Sequence, residues 1–99
     1  MNNDGMTKTL LKLIETIDQR TQKEDADSYV YRIISSGHDK VAQKFGEECI
    51  ELIIDASKMN NKRIVYEAAD VLFHYLLLLK SHNITLEDIL SELKSRERD

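Results

Sequence analysis

Residues 67–80 read Glu67-Ala68-Ala69-Asp70-Val71-Leu72-Phe73-His74-Tyr75-Leu76-Leu77-Leu78-Leu79-Lys80, and this stretch decides the fold. The apolar-rich run from Val71 to Leu79 is broken only by His74. It is too short to cross a bilayer, which takes about 20 consecutive apolar residues. Read as a helix from about Lys62 to Ser81, it is apolar on nearly every side, and such a helix must be covered on nearly every side. A chain of 99 residues has few elements with which to do that. The expectation is an all-α, antiparallel bundle of about four to five helices, completed by self-association, most simply as a two-fold homodimer.

The surrounding sequence supports helices throughout. Proline is absent and the three glycines are Gly5, Gly37 and Gly46, which leaves few breakers and few strand-type turns. A first helix is expected from about Thr7 to Arg20, where Leu10, Leu13, Ile14 and Ile17 recur at helical spacing. After a polar linker, Ser28 offers an N-cap for a short helix ending near Ser36, and Gly37 can take the left-handed C′ conformation. A long helix follows from about His38 to Lys58, with Val41, Phe45, Cys49, Leu52, Ile53 and Ala56 on one face. Asn60 and Asn61 break and recap the chain. Thr85 with Asp88 forms a capping-box start for a last helix, which Ile89, Leu90 and Leu93 are expected to dock. The domain is thus expected to span residues 7–96, with a flexible start (1–6) and a frayed end (97–99).

Charge narrows the partners. The formal net charge is -4, acidic residues are scattered through the helices, and there is no Lys/Arg block. That argues against nucleic acid, which is bound through a basic footprint. The single cysteine, Cys49, permits no intrachain disulfide and no cysteine-based zinc site, and fits the reducing cytoplasm. The N-terminus carries neither a basic n-region nor a following apolar stretch, so neither export nor a membrane is expected.

Two acidic pairs carry the chemistry. Glu48 with Glu51, and Glu67 with Asp70, stand at i, i+3, so each pair shares a helix face about 4.5 Å apart along the axis. Fifteen residues separate Glu51 from Glu67, enough to end one helix and begin an antiparallel partner that opposes the pairs. The plain alternative is that both pairs are solvated faces. It serves less well for Glu67 and Asp70, which lead into the apolar run and so need a counter-ion. Mg²⁺ suits an all-oxygen site and commonly bridges carboxylates to phosphates, and Mn²⁺ is a reasonable substitute. Lys44, one turn before Glu48, is placed to hold a phosphate or to pair with Glu48. His74 continues the Asp70 stripe and is expected to bond a carboxylate or a metal-bound water, unless it is a satisfied core histidine. Asp55 shares the Glu48 stripe but reads as solvated; His38 and His82 read as exposed. Gly46, inside a helix beside the acids, reads either as a site of close approach or as incidental.

The order Ser28-Tyr29, Gly37, Lys44-x-Gly46-Glu47-Glu48-x-x-Glu51, Tyr66-Glu67-x-Ala69-Asp70-x-x-x-His74 and Thr85-Leu86-Glu87-Asp88-Ile89-Leu90-x-Glu92-Leu93 resembles the phosphoribosyl-ATP pyrophosphatase family from about Leu10 to Arg96. The bare acidic pattern is similar to the wider MazG-like all-α pyrophosphatases. The resemblance implies a dimeric, Mg²⁺-dependent enzyme that converts phosphoribosyl-ATP and water to phosphoribosyl-AMP and pyrophosphate in histidine biosynthesis. It implies Glu48, Glu51, Glu67 and Asp70 as metal ligands. Position alone makes Glu47, adjacent to the cluster but off its stripe, a candidate general base, with Glu48 as the other. Lys58, Lys62 and Arg63 are candidates for the phosphoribosyl end, against a reading as solvated cations. Two alternatives stand beside this: a house-cleaning nucleoside triphosphate pyrophosphatase, and a non-catalytic helical dimerisation module.

Overall fold

The computed structural model describes residues 3–97, which form helices α1 (Asn3–Gln22), α2 (Tyr29–Ser35), α3 (His38–Ser57), α4 (Asn61–Ser81) and α5 (Leu86–Ser95), with no strand among the described residues. Helix α1 begins four residues ahead of the expected Thr7. Asp4 lies in its first turn, where a carboxylate complements the helix dipole, and the Thr9 hydroxyl donates to the Gly5 carbonyl at 3.1 Å. Of the expected flexible start, residues 1 and 2 lie outside the described residues; so do 98 and 99 of the expected frayed end.

The frame is the antiparallel hairpin of α3 and α4. Cross-hairpin contacts mark its register: His38 stacks on His82 with ring centroids 4.5 Å apart, and Phe45 meets Tyr75 at 6.1 Å. The hairpin turns through Met59, whose φ of 57° puts a non-glycine residue in the left-handed region, a strain of about 1–2 kcal/mol. Asn60 then caps α4 by accepting from the Arg63 amide at 3.2 Å. Asn83 (φ 56°) ends α4 in a Schellman turn, with Ile84 N–H donating to Leu79 O and Asn83 N–H to Lys80 O, both at 3.0 Å.

Helices α1 and α2 cover one end of this hairpin. Ser28 caps α2 by accepting from the Tyr31 amide. Gly37 has positive φ, but at φ 101° and ψ 165° it is extended rather than αL. The reason is geometric, since Gly37 leaves α2 and serves at once as the N-cap of α3, in a region open essentially to glycine alone. The core is Ile17, Val30, Ile33, Val41, Leu76 and Leu77, flanked by Leu10, Leu13 and Ile14 of α1. Lys80 ties α4 to α1 through Asp18 at 3.1 Å.

The other end of the hairpin is bare. On α3, Ile53 is 67 % exposed, although the helical pattern groups it with fully buried Val41; on α4, Val65 is 70 % and Tyr66 59 % exposed. The expected docking of α5 is only partial: Leu86 packs on the core, while Leu90 and Leu93 are exposed. The radius of gyration, 14.9 Å, exceeds the roughly 13 Å of a compact chain of about this length. Part of the long hairpin therefore extends beyond anything the other described residues pack against it.

Candidate metal centre

The site lies where the covered and bare halves of the hairpin meet. Glu48, at mid-α3, faces Glu67 and Asp70 on α4, and one oxygen from each of the three lies within 4.8 Å of the others. Glu67 is buried and leaves Oε2 without a hydrogen-bond partner; Glu48 and Asp70 are half-buried. Oxygens around an octahedral Mg²⁺ at about 2.1 Å stand roughly 3–4 Å apart, so small side-chain rotations would bring these donors into range. The set is all hard oxygen and includes an orphaned buried atom, and it fits a divalent cation.

Electrostatics give the same picture. Burial, then Glu48, then Asp70 push the Glu67 carboxyl above its usual range, and Arg63 only partly offsets them. Glu47 behaves oppositely: the Gln43 amide donates to it at 3.0 Å, Lys44 lies 3.5 Å away, and its carboxyl is held low. It is turned to solvent, away from the three converging acids. Lys44 also stands 4.0 Å from Glu48, so the ion pair and a position beside the acids coexist. Glu51 is exposed and lies outside the trio, although its spacing from Glu48 matches that of Asp70 from Glu67.

His74 matches the plainer of its two readings, a satisfied core histidine, and no carboxylate contact is seen for it among the described residues. It is buried, its Nδ1 lies 2.8 Å from the main-chain carbonyl of Asp70, and its Nε2 lies 2.7 Å from the Tyr29 hydroxyl. The carbonyl can only accept, so Nδ1–H donates to it; Nε2 then accepts from the Tyr29 hydroxyl. Burial raises the Tyr29 pKa, Lys44 lowers it, and Glu48 and Asp70 raise it further. The acids thus act on Tyr29 through their charge, a relation that sequence spacing did not single out.

Asp55, read as solvated, is not, and Arg63, although exposed, is engaged across the hairpin. Asp55 is buried, and Arg63 of α4 reaches both it, at 3.6 Å, and Glu67, at 2.9 Å. Spacing within each helix places Arg63 at i-4 from Glu67 and Asp55 at i+7 from Glu48, but it does not signal the contact between the two helices. Lys58 and Lys62 are exposed, as expected. Beyond its own stretch of helix, nothing among the described residues lies within 4 Å of where a Cβ on Gly46 would stand, so no packing seen there requires glycine.

Comparison with known proteins gives a consistent result. The sequence model of the family described as Phosphoribosyl-ATP pyrophosphohydrolase matches residues 10–97. A phosphoribosyl-ATP pyrophosphatase of Pyrobaculum neutrophilum is 43% identical over 91 residues, covering 92% of this chain and 97% of its own. A protein of the same name from Bacillus mycoides is 46% identical over 92% of this chain and 85% of its own. Another from Nitrosomonas eutropha is 42% identical over 89% of this chain and 75% of its own.

Proposed function

This chain belongs to the phosphoribosyl-ATP pyrophosphohydrolase family, and from that membership we propose that it hydrolyses phosphoribosyl-ATP to phosphoribosyl-AMP and pyrophosphate, in histidine biosynthesis. The observation that carries the proposal is the convergence of Glu48, Glu67 and Asp70 around a buried, unpartnered carboxylate oxygen. These three residues would hold Mg²⁺, or Mn²⁺ in its place, with Glu51, one turn along α3, as a fourth ligand. The chemistry such an ion supplies is charge neutralisation on the phosphates and a more acidic water.

The remaining work belongs to the chain. Glu48, which sits among the acids, accepts the proton of the attacking water; Glu47, paired with Gln43 and Lys44, is the poorer base because its carboxyl is held low. Water adds to phosphorus, the anhydride bond breaks, and pyrophosphate leaves. Lys44 holds a phosphate oxygen at the rim as a point charge. His74 and Tyr29 fix the α4 turn that carries Asp70, so they position a ligand rather than touch substrate.

The bare hairpin end supports a homodimer, because Ile50, Ile53, Ile54, Val65, Tyr66 and Leu72 are each at least 42% exposed. Among the described residues no helix is long and apolar enough to cross a membrane. That, the lone cysteine and a nucleotide substrate support a cytoplasmic enzyme, and the net charge of -4 supports no nucleic-acid partner.

The experiment is pyrophosphate release from phosphoribosyl-ATP and from a panel of nucleoside triphosphates, each with and without Mg²⁺. Mg²⁺-dependent release with phosphoribosyl-ATP strongly preferred is expected. Equal release from ordinary triphosphates would favour the house-cleaning reading, and no release from any substrate would leave only a helical module.

A further inference from the structure

Arg63 is shared between two buried acids on opposite helices. Its Nη2 donates to Glu67 Oε1 at 2.9 Å and lies 3.6 Å from Asp55 Oδ2, while its guanidinium rests 4.8 Å from the Tyr66 ring centroid. Asp55 and Glu67 are 9 % and 5 % exposed, and each leaves one oxygen, Asp55 Oδ2 and Glu67 Oε2, without a hydrogen bond. A buried carboxylate served only by a long ion contact is costly. Arg63 carries five N–H donors, so its incomplete service to Asp55 is a matter of placement and not of capacity.

Glu67 is also a candidate cation ligand through its free Oε2. A guanidinium on Oε1 and a divalent ion on Oε2 of one carboxylate repel each other, so each weakens the other's hold. The same nitrogen that bonds Glu67 needs to move by less than 1 Å toward Asp55 Oδ2 to reach hydrogen-bond distance, roughly 2.9 Å. The acceptor is already buried and lacks a hydrogen bond.

We propose that Arg63 is an exchangeable counter-ion: it neutralises Glu67 in the cation-free protein and transfers to Asp55 when a divalent cation takes Glu67. This rests on the reading that Glu48, Glu67 and Asp70 bind the cation. Asp55 and Arg63 are positioning residues, and together they set how tightly the site holds its ion. Asp55 is the receiving station that makes release of Glu67 inexpensive.

The test is Mn²⁺ affinity of the full chain without nucleotide, by titration calorimetry and by the electron paramagnetic resonance signal of free Mn²⁺, with folding followed by circular dichroism. Arg63→Gln removes the competitor and is expected to tighten Mn²⁺ binding about fivefold; Asp55→Asn strands Arg63 on Glu67 and is expected to weaken it about fivefold. In the Arg63→Gln background, Asp55→Asn is expected to have little further effect. A simple through-space charge effect gives instead the same fold-change in both backgrounds, and that result would overturn the exchange. Asp55→Asn is nearly isosteric, so it carries the test alone if Arg63→Gln does not fold, and an unchanged affinity sinks the proposal. If wild-type protein binds Mn²⁺ and Glu48→Gln abolishes binding, but neither Asp55→Asn nor Arg63→Gln alters it, only the exchange fails. No Mn²⁺ binding by wild type removes the cation site and the exchange together.

Discussion

The two ends of the α3–α4 hairpin are built from similar residues and meet opposite fates. At one end Val41, Leu76 and Leu77 vanish beneath α1 and α2; at the other Ile53 and Val65 stand about two-thirds exposed. Apolar periodicity is the same kind of signal at both ends, so the difference lies in what this chain has left to cover them. The acids sit at the seam. Glu67 is buried in a setting that a packed core alone would make unfavourable, and Asp70 opens toward the surface. The contrast separates a region built for stability within one chain from a region whose completion we propose to come from a cation and a second copy.

Perturbing each side should break this contrast in a predictable order. The largest effect is expected at the seam, where Glu48→Gln should fold normally and lower pyrophosphate release about a thousandfold, roughly 4 kcal/mol of transition-state stabilisation. In the covered half, Leu77→Ala removes a fully buried side chain and should cost about 3 kcal/mol in urea denaturation. The equivalent Ile53→Ala should cost far less in dilute, monomeric protein. Ile53→Glu should weaken self-association about a hundredfold in sedimentation experiments with little loss of helix content. A wild-type protein that sediments as a monomer at all concentrations would refute the dimer.

Smaller effects sharpen the seam itself. Gly46→Ala meets nothing within 4 Å among the described residues beyond its own stretch of helix and should raise stability by about 1 kcal/mol. Activity lost in that variant despite the gain would reveal a close approach by substrate or partner. The Glu67 carboxyl is raised by burial and by Glu48 and Asp70, so in chelator the folded protein binds its proton more tightly than the unfolded chain does. This contribution is full below about pH 4.5, the unfolded value, and is lost as pH climbs through the raised folded pKa. The melting temperature of metal-free protein should therefore fall across that window relative to Glu67→Gln, and Mg²⁺ should suppress the fall.

The helices and the inner core were legible because helical spacing and capping chemistry are local. Leu10, Leu13, Ile14 and Ile17 pack where their period places them, and Thr85 with Asp88 forms the expected capping box. The docking of Leu90 and Leu93 was not legible, since periodicity says that a face wants cover and not who supplies it. Within the site, i, i+3 spacing found Glu48, Glu67 and Asp70. It could not separate them from Glu51, because residues three apart still differ by about 60° around the axis, enough to turn one of them to solvent. Asp55 escaped for another reason. Its burial depends on Arg63 reaching across the hairpin, and that contact between helices leaves no mark in either helix's own pattern.

The most direct measurement is a crystal of this protein grown with Mn²⁺ and examined for anomalous scattering. The account predicts a manganese peak between α3 and α4, within coordination distance of Glu48, Glu67 and Asp70. A well-ordered structure with those carboxylates free of metal at saturating Mn²⁺ would contradict it.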